Sequence, residues 1–207
     1  MDSPSLTDDL AYVRDLAEAG QQSPLLGGRF LAWWGGLATL AYAGHYLLET
    51  GMLGLGGIAY LYLWSGFGII GLLGYFTLVK TRPTDKPGQF SATNKVEANV
   101  WMIAGFSLFA YFMALTLKAL AGGDATAGFV GSLPLVFTAY AIGLFTSGAI
   151  ARNNILKTAG FGALGMVVLA TLFGDQQMIW AIASLGAFLT VFLPGLLMLM
   201  REPKSIV

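Results

Sequence analysis

Residues 177–200 read QMIWAIASLGAFLTVFLPGLLMLM, 24 positions without one charged side chain. A helix rising about 1.5 Å per residue needs roughly 20 apolar residues to cross the hydrocarbon core of a bilayer. This run meets that length. Five more apolar runs precede it, at 30–48, 57–79, 98–117, 129–150 and 155–173. None shows the ten-residue alternation of a membrane β-barrel strand. The pattern predicts an all-α, polytopic membrane protein with six transmembrane helices.

Composition agrees. Of 207 residues, 56% are hydrophobic and 11% charged. Soluble domains carry about 25% charged residues, so this chain is too poor in charge to cover a water-facing surface. The mean hydropathy is +0.70. The 28 glycines suit membrane helices whose backbones approach closely. Net charge is zero, which gives no field for nucleic acid.

Cysteine is absent, which removes disulfides, thiolate metal sites and cysteine nucleophiles. A single histidine, His45, excludes a multi-histidine metal site within one chain. No cofactor, metal or catalytic set is expected. Walker-type phosphate loops, G-x-S-x-G elbows and H-E-x-x-H pairs are all missing, so the chain reads as a non-enzyme. No cleavable signal peptide is expected, and the run beginning near Phe30 reads as a retained first membrane helix.

Basic residues predict the orientation. Arg14 and Arg29 precede the first run, and Lys80, Arg82, Lys86 and Lys95 lie between the second and third. Arg152 and Lys157 flank the fourth turn, and Arg201 and Lys204 follow the sixth run. Ten of eleven thus fall on one side, leaving Lys118 on the other. The positive-inside rule places both termini in the cytoplasm of a plasma or inner membrane. The layout is three hairpins, 1–2, 3–4 and 5–6, turning through short outer loops that contain glycine: ETGMLGLGG, AGGDATAG and FGDQQ.

Two domains follow. Residues 1–22 form a cytoplasmic N-terminal segment, and 23–207 form the membrane domain. Within the first, residues 5–20, SLTDDLAYVRDLAEAG, place Leu6, Leu10, Val13 and Ala17 on one helical face. Helices that lie on anionic lipid are basic, whereas this one is acidic. It reads as docking on protein, either the chain's own basic loops or a partner.

No ionisable residue falls near mid-depth in any run. Intramembrane charge is the usual mark of a proton relay or ion-coupled pump. Its absence points away from both. The nearest polar pair is His45 and Glu49, one helical turn apart at the outer end of the first helix. The pair reads first as an interfacial contact that orients the helix end. The functional alternative is a pH-sensitive pair, or half of a metal or substrate site completed by Asp124, Asp175 or another subunit.

Three further patterns stand out. Ala139, Gly143, Ser147 and Ala151 recur every four residues in the fourth run, a small-residue stripe that permits close helix crossing, within the bundle or between subunits of a homo-oligomer. Pro134 and Pro194 fall inside the fourth and sixth runs, with Thr138 and Thr190 one turn away. Such prolines can open a helix along a solute path. Finally, Arg152, Asn153 and Asn154 read as a tight turn in which asparagine takes the left-handed backbone.

Just before the first run stand Ser23, Pro24, Leu25, Leu26 and Gly27. With the six-helix layout over roughly 23–200, this resembles the acetate uptake transporters, compact proteins with N-P-A-P-L-G before helix 1. The Asn and first Pro are missing here, and a Leu is added. The resemblance implies a homo-oligomeric passage for small monocarboxylates, with Pro24, Leu25 and Gly27 at its entrance. The leading expectation is therefore a small-solute channel or transporter for weak acids or neutral molecules, acting as an oligomer in the lipid bilayer. The alternative is a non-catalytic partner subunit or sensor that binds another protein through residues 5–20.

Overall fold

A computed structural model of the chain describes Leu10 and residues 24–81 and 91–202. Among these residues every regular element is a helix. In chain order they are α1 (Gly28–Glu49), α2 (Ile58–Lys80), α3 (Ala92–Leu120), α4 (Thr126–Val130), α5 (Leu133–Ile150), α6 (Asn154–Leu172), α7 (Met178–Ala187), a π turn (Phe188–Phe192) and α8 (Leu193–Arg201). The expected N-terminal helix over 5–20 lies outside the described residues apart from Leu10.

Five helical stretches are long and apolar enough to cross a membrane: Ile58–Lys80, Ala92–Leu120, Thr126–Ile150, Asn154–Leu172 and Met178–Arg201. The first helix is 22 residues long. Trp33, Trp34, Tyr42, His45 and Tyr46 dilute its hydropathy. Packing accounts for that composition, because α1 is held between α2 and the α7–α8 rod, so protein surrounds much of it.

Local chemistry sets the helix ends. Ser91 caps α3, its hydroxyl accepting from the Asn94 N–H at 3.2 Å. This cap starts the helix at Ala92 rather than near residue 98. Asn153 caps α6 by accepting from Ile155 N at 3.0 Å and Leu156 N at 3.4 Å. Pro134 does not interrupt a helix, as the run 129–150 suggested. The chain turns at Gly131 and Ser132, and Pro134 lies in the first turn of α5, where its missing N–H has no ladder partner to lose. Pro194 does follow a disturbance. It cannot donate to a ladder, and the turn before it widens to π, with Leu193 N–H reaching Phe188 O.

The most intimate packing joins α5 to α6 across the Arg152 turn, and α1 to the α7–α8 rod. Packing within the expected pairs 1–2, 3–4 and 5–6 is present but less extensive. Glycines permit both crossings. A Cβ on Gly35 would lie 2.5 Å from Phe192 N, on the backbone of the π turn, and one on Gly195 would strike Ala32 N. A Cβ on Gly160 would lie 2.8 Å from Phe145 N. Between these helices the centre is filled by Phe137, Leu144, Leu156, Ala163, Ile179 and Val191, all essentially inaccessible.

By contrast, α2 packs chiefly on α1, and α3 chiefly on α5. Gly71 is the one fully buried residue of α2, and α3 buries only Thr93, Asn94 and Glu97 in its first turns. Leu61, Tyr62, Leu73, Ile103, Phe106 and Phe109 stay exposed. A continuous apolar surface of this kind is untenable in water but ordinary in hydrocarbon.

A candidate polar site at the end of the first helix

His45 and Glu49 share a face near the C-terminal end of α1, with Nε2 and Oε2 3.9 Å apart. That is too long for a hydrogen bond. Both side chains are instead bonded by α2. The Trp64 indole N–H donates to His45 Nδ1 at 3.1 Å, and the Tyr60 hydroxyl donates to Glu49 Oε2 at 2.6 Å. From α7, Trp180 stacks on the imidazole with centroids 3.6 Å apart and planes 22° apart. Tyr60 meets the same ring edge-on at 4.9 Å. Just before α7, the Gln177 amide donates to the Glu49 carbonyl at 3.2 Å. One turn below, Tyr42 contacts Trp64, Trp180 and Phe137. An aromatic cluster thus joins α1, α2, α5 and α7 around the single histidine.

The Trp64 bond fixes the tautomer. An indole N–H only donates, so Nδ1 must offer its lone pair and the neutral ring carries its proton on Nε2. A metal would need the Nε2 lone pair that this arrangement protonates. The geometry therefore does not complete a metal half-site at His45. Asp124, one proposed completing ligand, turns its carboxylate to the backbone N–H of Thr126 at 2.8 Å. That bond holds its carboxyl below the usual carboxylate range. Among the described residues no three His, Asp or Glu side chains gather where they could hold a metal.

The opposite end of α1 carries a second polar grip. Asn94 on α3 accepts from Leu26 N at 2.9 Å and donates to Pro24 O at 2.9 Å. Its amide also reaches Ser91 Oγ at 3.1 Å. Pro24, Leu25 and Gly27 are consequently clamped against α3, and a Cβ on Gly27 would strike the Glu97 carboxylate. Arg29 reaches the last carbonyls of α2, Leu78 O at 3.5 Å and Thr81 O at 3.4 Å, where a cation complements the helix dipole.

The hydroxyls among the other residues proposed for a passage bond within their own helices. Thr138 donates to Pro134 O and Thr190 to Gly186 O, each at 2.7 Å within its own helix. Pro134 and Thr138 open α5 at the end opposite the Asn94 grip. Thr190 and Pro194 belong to the irregular part of the α7–α8 rod. Of the small-residue stripe, Gly143 and Ser147 receive Trp101 from α3. A Cβ on Gly143 would lie 2.8 Å from its ring, and the indole N–H donates to Ser147 Oγ at 3.2 Å. Ala139 and Ala151 flank that contact, half-buried.

The sequence pattern did not mark Tyr60, Trp101 or Trp180 for a site. It singled out neither Trp64 nor Asn94. Their partners lie on other helices, at separations that one-dimensional periodicity does not reach. No family model matches the chain, and no curated protein or solved structure does.

Proposed function

We propose that this chain is a non-catalytic membrane subunit or sensor, with six spanning helices and both termini in the cytoplasm of a plasma or inner membrane. The observation that carries the reading is the filled centre beside two scarcely buried helices. Phe137, Leu144, Leu156 and Val191 close the middle of the bundle, whereas α2 and α3 keep most of their apolar surface for their surroundings. Such a chain offers more surface for association, with copies of itself or with another protein, than interior for chemistry. The acidic segment 5–20 would supply the cytoplasmic contact.

A second reading is favoured by the irregular backbone around Thr190 and Pro194. Broken helices at membrane depth commonly border solute sites. Here a passage for weak acids or small neutral solutes would run between copies of the chain in a homo-oligomer, as the resemblance to the acetate uptake transporters implies.

Flux into proteoliposomes separates the two. The subunit reading expects no uptake above empty liposomes for a broad panel of monocarboxylates and neutral solutes. Saturable uptake of any of them would overturn it in favour of the passage. Deleting residues 1–20 is expected to release a co-purifying protein from mild-detergent extracts. Single cysteines placed in the cysteine-free chain and probed with an impermeant maleimide would count the spans and orient the termini.

A further inference from the structure

Because α2 packs chiefly on α1, the polar ties between these two helices decide how α2 is held. There are two sets. At the Arg29 end, the guanidinium binds Leu78 O and Thr81 O, and the Trp33 indole donates to Gly71 O at 3.1 Å. Arginine stays charged and indole neutral at any ordinary pH, so these ties are constant. At the other end, the ties are Trp64 to His45 and Tyr60 to Glu49. Both lie on the face that His45 and Glu49 share, and an imidazole gains a proton on acidification.

We propose that His45, Trp64, Tyr60 and Glu49 form an acid-released clasp between α1 and α2. Protonation places a hydrogen on Nδ1, where the Trp64 N–H already points. Two donors then face each other and must part. The imidazolium also faces the Glu49 carboxylate, 3.9 Å from Nε2, and competes for it with the Tyr60 hydroxyl. The groups facing His45 define the outcome. Glu49 on its own helix and Tyr60 on α2 are the titratable ones, and α7 contributes Trp180, which is neutral throughout. The Trp180 face remains a good seat for the ring once charged, since a cation over indole is favoured. Acid therefore loosens α2, not α7. Glu49 is 38% exposed, which gives protons a route from the loop side.

Indole N–H NMR on the full chain in micelles, with tryptophan labelled, tests this. Trp64→Phe assigns the Trp64 signal. On acidification from about pH 7.5 to about pH 3, the Trp64 indole is expected to shift reversibly while those of Trp33 and Trp101 hold still. Amide exchange over 58–66, corrected for its intrinsic pH dependence, should rise about fivefold relative to 70–78, as loss of one hydrogen bond would give. His45→Gln keeps an acceptor for Trp64 and cannot titrate, so it should abolish both changes; His45→Phe should leave α2 loosened at all pH. A pH-independent Trp64 signal in the wild type, or an unchanged response in His45→Gln, would overturn the clasp.

Discussion

Trp101 of α3 lies across Gly143 of α5 and hydrogen-bonds Ser147 one turn further on. It is the chief side-chain anchor of α3 to the centre. Ser147 is fully buried, so Ser147→Ala leaves the indole N–H facing an apolar wall. We expect a loss of about 0.6–1.5 kcal/mol. Gly143→Leu should cost more, because the ring itself must leave. Trp101 fluorescence, isolated by replacing the other tryptophans with phenylalanine, should report greater solvent or lipid exposure in Gly143→Leu than in Ser147→Ala. The same ranking should appear in unfolding curves in mixed micelles.

Gly35 and Gly36 form a graded pair. A Cβ on Gly35 meets the π-turn backbone, whereas one on Gly36 meets the Phe192 ring at 3.1 Å. Backbone cannot yield and a ring can. Gly35→Ala is therefore expected to destabilise by about 1–3 kcal/mol, and Gly36→Ala by under about 1 kcal/mol. Thermal unfolding in detergent reads the difference, and equal losses would refute the proposed rigidity of the crossing.

Asn94 ties the segment before α1 to the start of α3 through one amide. Asn94→Ala removes its bonds to Leu26 N, Pro24 O and Ser91 Oγ, with a loss of about 1–3 kcal/mol. Asn94→Asp is no rescue. It keeps an acceptor for Leu26 but turns a second oxygen toward the Pro24 carbonyl. Both variants should show faster exchange of the Leu26 amide with α5 and α6 unchanged.

Arg152 has φ of 51°, the left-handed region, at the end of α5. Asn153 N–H reaches Gly148 O at 2.8 Å and Arg152 N–H reaches Ala149 O at 3.4 Å, a cap that glycine normally completes. Arg152→Gly is expected to stabilise the fold by about 0.5–1 kcal/mol, after the greater freedom of glycine in the unfolded chain. Arg152→Ala removes the guanidinium without relieving the backbone and should show no such gain. Unfolding midpoints of the three proteins decide it.

What could be read from the sequence, and what could not, divides by the range of the forces involved. Helix formation in an apolar run is local, so the segments at 30–48, 57–79, 155–173 and 177–200 lie close to α1, α2, α6 and the α7–α8 rod. The third was placed too short because Lys95 and Glu97 suggest a surface, although Ser91 and Asn94 had already started the helix. The asparagines after Arg152 suggest the left-handed residue, yet Arg152 takes it, because Asn153 is needed as the cap of α6. The His45–Glu49 spacing was visible as one helical turn. What decides its chemistry, an indole from α2 and another from α7, depends on how helices distant in sequence pack.

The π turn has a consequence for the last rod as a whole. Residues 188–192 place one more residue in the ladder than an α-helix requires. Each residue advances a helix by about 100°, so that insertion sets the angular phase between Met178–Ala187 and Leu193–Arg201. Upstream, Ser184 can donate to Thr39 O at 2.8 Å. Downstream, Gly195 lies on Ala32 of the same helix. Deleting one residue here would restore a regular ladder and swing one of these two faces off α1. The irregularity therefore works as a phase adjuster, keeping both halves of one rod in register with a single partner along its length.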